Sequence, residues 1–218
     1  MAEEAATRTV DRALALLAVV CDRGSATLAE SARATDLAAS TALRLLRTLE
    51  GSGFIRRDDD GTFRPGSRLI QLGAQALTSE SLVALARPVM EDLVEETGES
   101  VYLSIEGHGA TALYISIVEG THSVRHASWV GRSIPLDGSA AGAVLTGRTP
   151  DEGFVVVVSG IEPDVTAIAA PVLAGTRIIG ALSLVVPSYR ERAVDEMRHG
   201  MALARAARLV SAGLGGTA

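Results

Sequence analysis

The sequence predicts an α+β protein in two parts: a small helical head closed by a hairpin, joined by a helix to an antiparallel-sheet body. Three observations predict it. Residues 9–57 hold three short apolar ladders at helical spacing, followed by paired apolar positions around an Asp60-Gly61 turn. From Ser100 onward, alternating or continuous apolar runs recur between glycines, as strands do. Between these regions the helical pattern continues with no flexible linker. The expected division is residues 1–76 and 77–218.

In the first part, residues 10–22 form one helix, with Val10, Leu14, Leu17 and Cys21 sharing a face. On this reading Cys21 is a small buried hydrophobe. Thr27 is placed to cap a second helix, and Glu30 three residues later completes a capping box. A tight turn at residues 35–38 leads to a third helix. There Ala42, Leu45, Leu46 and Leu49 follow an i, i+3, i+4, i+7 stripe and point inward. Ser40, Thr41, Arg44 and Arg47 lie off that stripe. Phe54 and Phe63 anchor the arms of the hairpin, which carries Arg56, Arg57 and Arg64 beside the acidic run Asp58 to Asp60.

Helix, helix, turn, helix and hairpin in this order describe a winged helix-turn-helix, whose third helix enters the major groove of double-stranded DNA. Hydroxyls of Ser40 and Thr41 suit phosphates or base edges, and the guanidiniums of Arg44 and Arg47 suit phosphate or guanine. Arg56, Arg57 and Arg64 would hold the flanking backbone. The three aspartates are awkward in that role, since they repel phosphate. The bland alternative is a small helical bundle with arginines on its wet face.

Composition limits the remaining classes. Of 218 residues 47% are apolar but only 3% aromatic, so the core must be aliphatic. The net charge of −6 is uneven: residues 1–75 hold ten arginines and ten acids, while the rest hold ten arginines and sixteen acids. An acidic total therefore does not exclude a local DNA-binding surface multiplied by oligomerisation. One cysteine makes no internal disulfide, the first residues are unlike a secretory signal, and no run of ~18 apolar residues suggests a membrane span. The expectation is a cytoplasmic protein without a membrane partner.

In the second part, Leu82, Leu85, Ala86, Val89 and Leu93 mark a connecting helix. Strands are expected at residues 100–106 and 111–118, at 123–129, and in three runs between 153 and 187, with a short helix beginning near Ser139. A C-terminal helix would cover the sheet with Val194, Met197, Met201, Ala204 and Leu209 inward. His108, His122, His126 and His199 are scattered, and no cysteine or acid joins them at ligand spacing. No metal, cofactor or enzymatic chemistry is expected. Tyr102, Tyr114 and Trp129 read as core or pocket wall.

Six segments in order carry a resemblance: "TVDRALALL" (9–17), "DLAASTALRLLRTLEGSGFIRR" (36–57), "FRPGSRLIQLG" (63–73), "ARPVMEDLVEETGESVYLSI" (86–105), "GRSIPLDGSAAGAVL" (131–145) and "GIEPDVTAIAAPVLAGTRIIGALSLVVP" (160–187). Together they resemble the IclR family of bacterial transcriptional regulators. The resemblance implies a GAF-like antiparallel sheet in the second part and a homodimer or homotetramer on a palindromic operator. It also implies a small organic or aromatic acid as effector.

The resemblance locates that effector between the sheet and residues 133–142, at Ser139, Ala140 and Ala141, with Gly138 and Gly142 allowing close approach. Ser183 is the surviving polar position on the strand behind, and Trp129 a wall candidate. The chain departs from the family where polar groups are usual: Asp137 replaces a histidine, Ala143 a lysine, Val157 to Gly160 an acidic stretch, Ala167 a cysteine and Val185 a serine. Some tens of residues are also missing between Leu145 and Gly153. Two outcomes stay open: a less polar effector held by apolar contact, or a degenerate pocket. A rival function is a small-molecule-binding or scaffold protein that keeps its winged helix for dimerisation.

Overall fold

The computed structural model describes residues 2–79, 81–126, 128–191 and 193–214. The chain separates into two compact units, Met1–Ser79 and Glu80–Ala218.

The first unit runs α1 (Ala2–Arg23), α2 (Leu28–Ala34), α3 (Ala39–Gly51), β1 (Ile55–Arg57), β2 (Phe63–Pro65) and α4 (Ser67–Ser79). The capping box on α2 forms as the spacing demands: Thr27 accepts from the Glu30 N–H, and Glu30 Oε2 accepts from the Thr27 N–H at 2.8 Å. Asp36 in the left-handed region, at φ 51°, turns the chain from α2 into α3, a conformation its short polar side chain tolerates. Ala42, Leu45, Leu46 and Leu49 of α3 are buried with Leu16, Val20, Ile55 and Phe63. β1 and β2 pair antiparallel, and a bridge from Ala26 to Phe63 ties the hairpin to the start of α2.

The inner face of α1 differs from the expected one. Leu16 and Val20 are buried, with Ala13 and Leu17 packed beside them. Val10 is 57% exposed and Leu14 56%, and Cys21 is exposed rather than a core residue. The segment "ALALLAVVC" is apolar around most of its circumference, so periodicity alone does not choose the core-facing side. Packing against α3 chooses it.

The second unit runs α5 (Ser81–Thr97), β3 (Ser100–Glu106), β4 (Thr111–Val118), β5 (Ser133–Pro135), α6 (Ala140–Leu145), β6 (Val155–Val158), β7 (Val165–Ala174), β8 (Arg177–Pro187) and α7 (Ala193–Gly213). Six antiparallel strands lie in the order β5-β4-β3-β8-β7-β6. Alternate side chains feed two separate cores. Leu182, Leu184 and Val186 of β8 join α5 and α7 on one face. Ala181 and Val185 join Tyr102, Tyr114, Ala169 and the residues of α6 on the other.

Two expectations are corrected here. Residues 123–126, 128 and 129 form no strand; the sixth strand is β5, which takes the sheet edge beside β4. Side-chain anchors hold the irregular segment instead: the His126 ring bonds Tyr102, and its carbonyl accepts from Ser100 Oγ. On α7 Ala204 is buried as expected, but its neighbours in the core are Ala202, Leu203, Ala206, Ala207 and Val210, whereas Met197, Met201 and Leu209 face solvent. Small alanines let the helix lie close to the sheet, so the larger apolar residues stay outside. The side chain of Val194 lies outside the described residues.

Candidate nucleic-acid interface and ligand pocket

The scaffold of α3 and its chemistry occupy opposite sides of the same thirteen residues. With the leucines buried, Ser40, Leu43, Arg44, Arg47 and Thr48 line a shallow open groove on the outer side. Thr41 is half-buried at the margin of this strip. The guanidiniums of Arg44 and Arg47 are exposed and make no ion pair among the described residues, so they are available to an anionic partner. Leu43 and Thr48 were missed from the sequence, although the 40, 43, 44, 47, 48 spacing on one face is the signal that finds them.

The hairpin treats its arginines unequally. Asp58 accepts from Arg56, and its other oxygen accepts from Arg64 Nε at 2.6 Å. Asp60 accepts from the Thr62 N–H at 2.8 Å, and this bond holds its carboxyl below the usual range. The acidic run is thus partly absorbed within the hairpin. Arg57 has no carboxylate partner among the described residues and lies over the Phe63 ring at 5.7 Å.

In the second unit, the face of the sheet opposite α5 and α7 carries a cavity of roughly 470 Å³, including its open mouth. Ala167 of β7 and Ser183 and Val185 of β8 make its floor. Ala140 and Ala141 of α6 make one wall, and Tyr114, His126 and Trp129 make an aromatic wall. Val157, Gly160 and Glu162, in and after β6, complete it. Ser139, Ala140, Ala141, Ser183 and Trp129 therefore converge, although they come from three stretches of chain. His126, Glu162 and Tyr114 also belong to the lining, and no local motif marks the first two.

Each polar group has a distinct state. Ser139 is committed: its hydroxyl donates to the Pro135 carbonyl at 2.7 Å and accepts from the Gly142 N–H at 3.0 Å, capping the six-residue α6. Gly142 is required there, because a Cβ would strike the Leu136 carbonyl. His126 is also committed, with Nδ1 2.6 Å from Tyr102 Oη and Nε2 3.1 Å from Glu162. Burial, reinforced by Glu162, pushes the Tyr114 phenol up to about 12, so it stays neutral near pH 7. Ser183 is different. It is 2% exposed and its Oγ has no hydrogen-bond partner. Native proteins pair nearly all such groups, and only Ser31 and Thr149 share this state among the described residues.

The segment bearing the aromatic wall is anchored twice. Beyond the Tyr102–His126 bond, buried Glu99 accepts a fork from Arg190, with both bonds at 2.9 Å, and lies 3.4 Å from His122. His199 pairs with Glu191 instead, on the turn leading to α7. Among the described residues no three histidine, cysteine or acidic side chains cluster as a metal site, and no helix is long and apolar enough to cross a membrane.

Two family models match this architecture in order: the IclR helix-turn-helix domain over residues 9–59 and the bacterial transcriptional regulator IclR C-terminal domain over residues 74–155. The chain belongs to the IclR family. Relatives in that family include the transcriptional regulator KipR of Bacillus subtilis, 32% identical over 71% of this chain and 62% of its own length. The repressor IclR of Escherichia coli is 30% identical over 66% of this chain and 54% of its own length. The chain thus spans little more than half the length of these IclR relatives. Among solved structures, an IclR regulator from Alicyclobacillus acidocaldarius superposes with a TM-score of 0.80 at 25% identity, covering 95% of this chain and 98% of that one. An IclR homologue from Microbacterium hydrocarbonoxydans, solved with 4-hydroxybenzoate, shares the fold at TM-score 0.78 and 23% identity, covering 94% and 98%.

Proposed function

We propose that this protein is a sequence-specific, DNA-binding transcriptional regulator whose second unit, a GAF-like sensor, binds a small organic effector. The observation that carries the reading is the outer face of α3, where Ser40, Arg44, Arg47 and Thr48 stand exposed above a fully buried ladder. Arg44 and Arg47, with Ser40 and Thr41, would read or position each half-site of double-stranded DNA. Arg57 would hold flanking backbone, joined by Arg56 and Arg64 when phosphate displaces Asp58.

A homodimer or homotetramer on a palindromic operator is part of the reading, since two-fold protein symmetry matches two half-sites. The exposed apolar residues Val10 and Leu14 of α1 support self-association. The effector is assigned to the cavity because Ser183 is buried and unpartnered within its lining, which favours a working pocket over a degenerate one. The Microbacterium homologue's 4-hydroxybenzoate supports a small-ring ligand in this fold. A cytoplasmic setting follows from the proposed partner, DNA.

The test is selection of genomic DNA by the purified protein at fixed physiological salt with competitor DNA. One palindromic site is the expected result. Diffuse binding that vanishes with salt would move the scaffold alternative ahead.

A further inference from the structure

The cavity contains no cation to receive an acid. The chain has no lysine, and among the described residues no arginine lines the cavity. Arg132, whose guanidinium lies 5.4 Å from the centre of the Trp129 ring, is exposed and outside the lining. Among the described residues, the only carboxylate in the lining is Glu162, and the only basic side chain is His126. Both His126 nitrogens are already engaged, one by Tyr102 and one by Glu162, so any charge on the imidazole is matched in place. An anionic ligand would lose its water without gaining a counter-charge, a cost that protein interiors rarely bear.

A cation fares little better. The neutral Ser183 hydroxyl is buried, with Ala167 and Val185 in the same lining, while Glu162 is half-exposed and bonded to His126. An ammonium at Ser183 would meet a neutral hydroxyl in a largely apolar lining, with the Glu162 carboxylate already bonded to His126. The walls favour a flat apolar body between the small α6 residues and the aromatic side. Tyr114 and Trp129, with ring centroids 6.4 Å apart, form that side.

Building on the effector pocket proposed above, we infer that its ligand is uncharged: a single-ring compound with one hydroxyl or carbonyl group that pairs with Ser183. The pocket discriminates against carboxylates and ammonium groups on the same ring. Discrimination comes from the missing counter-charge, and affinity from ring burial plus relief of the orphaned hydroxyl.

Three probes with one ring test this on the full chain at pH 7.5: benzyl alcohol, benzoate and benzylamine, titrated by calorimetry into tens of millimolar. Benzyl alcohol is expected to bind at least ten-fold more tightly than either ion, and Ser183→Ala to weaken it about five-fold, the worth of one neutral hydrogen bond. Glu162→Gln is expected to narrow the gap between benzoate and benzyl alcohol, since it removes the carboxylate in the lining. Benzoate or benzylamine binding as well as the alcohol would overturn the inference and leave the pocket reading standing. If none of the three binds, both the inference and the pocket reading fall.

Discussion

The two units do their proposed work with opposite chemistry. The helical unit offers unpaired charge on one continuous helix, with Arg44 and Arg47 projecting opposite Leu45, Leu46 and Leu49. The sheet unit hides a nearly uncharged cavity whose lining is drawn from β4, the segment before β5, α6, β6, β7 and β8. Charge suits a polyanion met at the surface, where the ion atmosphere of DNA is displaced. Apolar walls suit a small ligand removed from water. The contrast explains how an acidic protein can be read as DNA-binding: its cations need only be local, and its acids lie mostly in the other unit.

The contrast breaks first at the scaffolds. Leu46→Ala empties a fully buried site under α3 and should destabilise the helical unit by about 2–5 kcal/mol in thermal or denaturant unfolding. A loss well below that would mean the arginine face does not rest on this ladder. In the sheet unit, Glu99→Gln breaks the fork to Arg190 beside His122 and should cost about 3 kcal/mol or less, since Arg190 retains some contact with water. It should also alter the fluorescence of Trp129, the only tryptophan, if the anchor holds the aromatic wall.

At the functional faces, Arg44→Ala should weaken operator binding by about 1–3 kcal/mol if the guanidinium makes a bidentate base contact. Measured against scrambled DNA, a loss of equal size on both would assign Arg44 to phosphate. Ser183→Ala has the opposite sign on stability. Removing a hydroxyl that is buried without a partner should stabilise the unliganded protein by about 1 kcal/mol, read as a raised melting temperature. A lowered melting temperature would show that the hydroxyl is satisfied in solution.

The smallest change concerns the hairpin. Asp58→Asn releases Arg56 and Arg64 from an exposed cluster, so stability should shift by about 1 kcal/mol or less. Non-specific DNA affinity should rise, with a salt dependence steeper by roughly one to two phosphate contacts. An unchanged salt slope would remove the hairpin arginines from the interface.

Local patterns in the chain were enough for much of this molecule. The Thr27–Glu30 capping box, the α3 ladder, the Asp60-Gly61 hairpin and the start of α6 at Ser139 all depend on residues a few positions apart, and short-range geometry decides them. Where two apolar faces competed, as on α1, or where alanines outranked methionines, as on α7, residue identity was insufficient; the shape of the neighbouring surface chose. Residues 123–129 read as a strand because their composition allows one, yet the described residues of that stretch form none, and His126 bonds instead to Tyr102, twenty-four residues away.

The same division separates the two candidate sites. Ser40, Arg44 and Arg47 share a face because a helix repeats every 3.6 residues, and that period is written into the chain itself. Glu162 and His126 meet, and Ser183 loses every partner, only after six antiparallel strands have been laid in register and α6 has been packed across them. Whether a polar atom is satisfied, and whether a cation stands near it, are properties of long-range packing. For this protein, local order set out the surface proposed to meet DNA, while the assembled sheet alone decided what the cavity lacks.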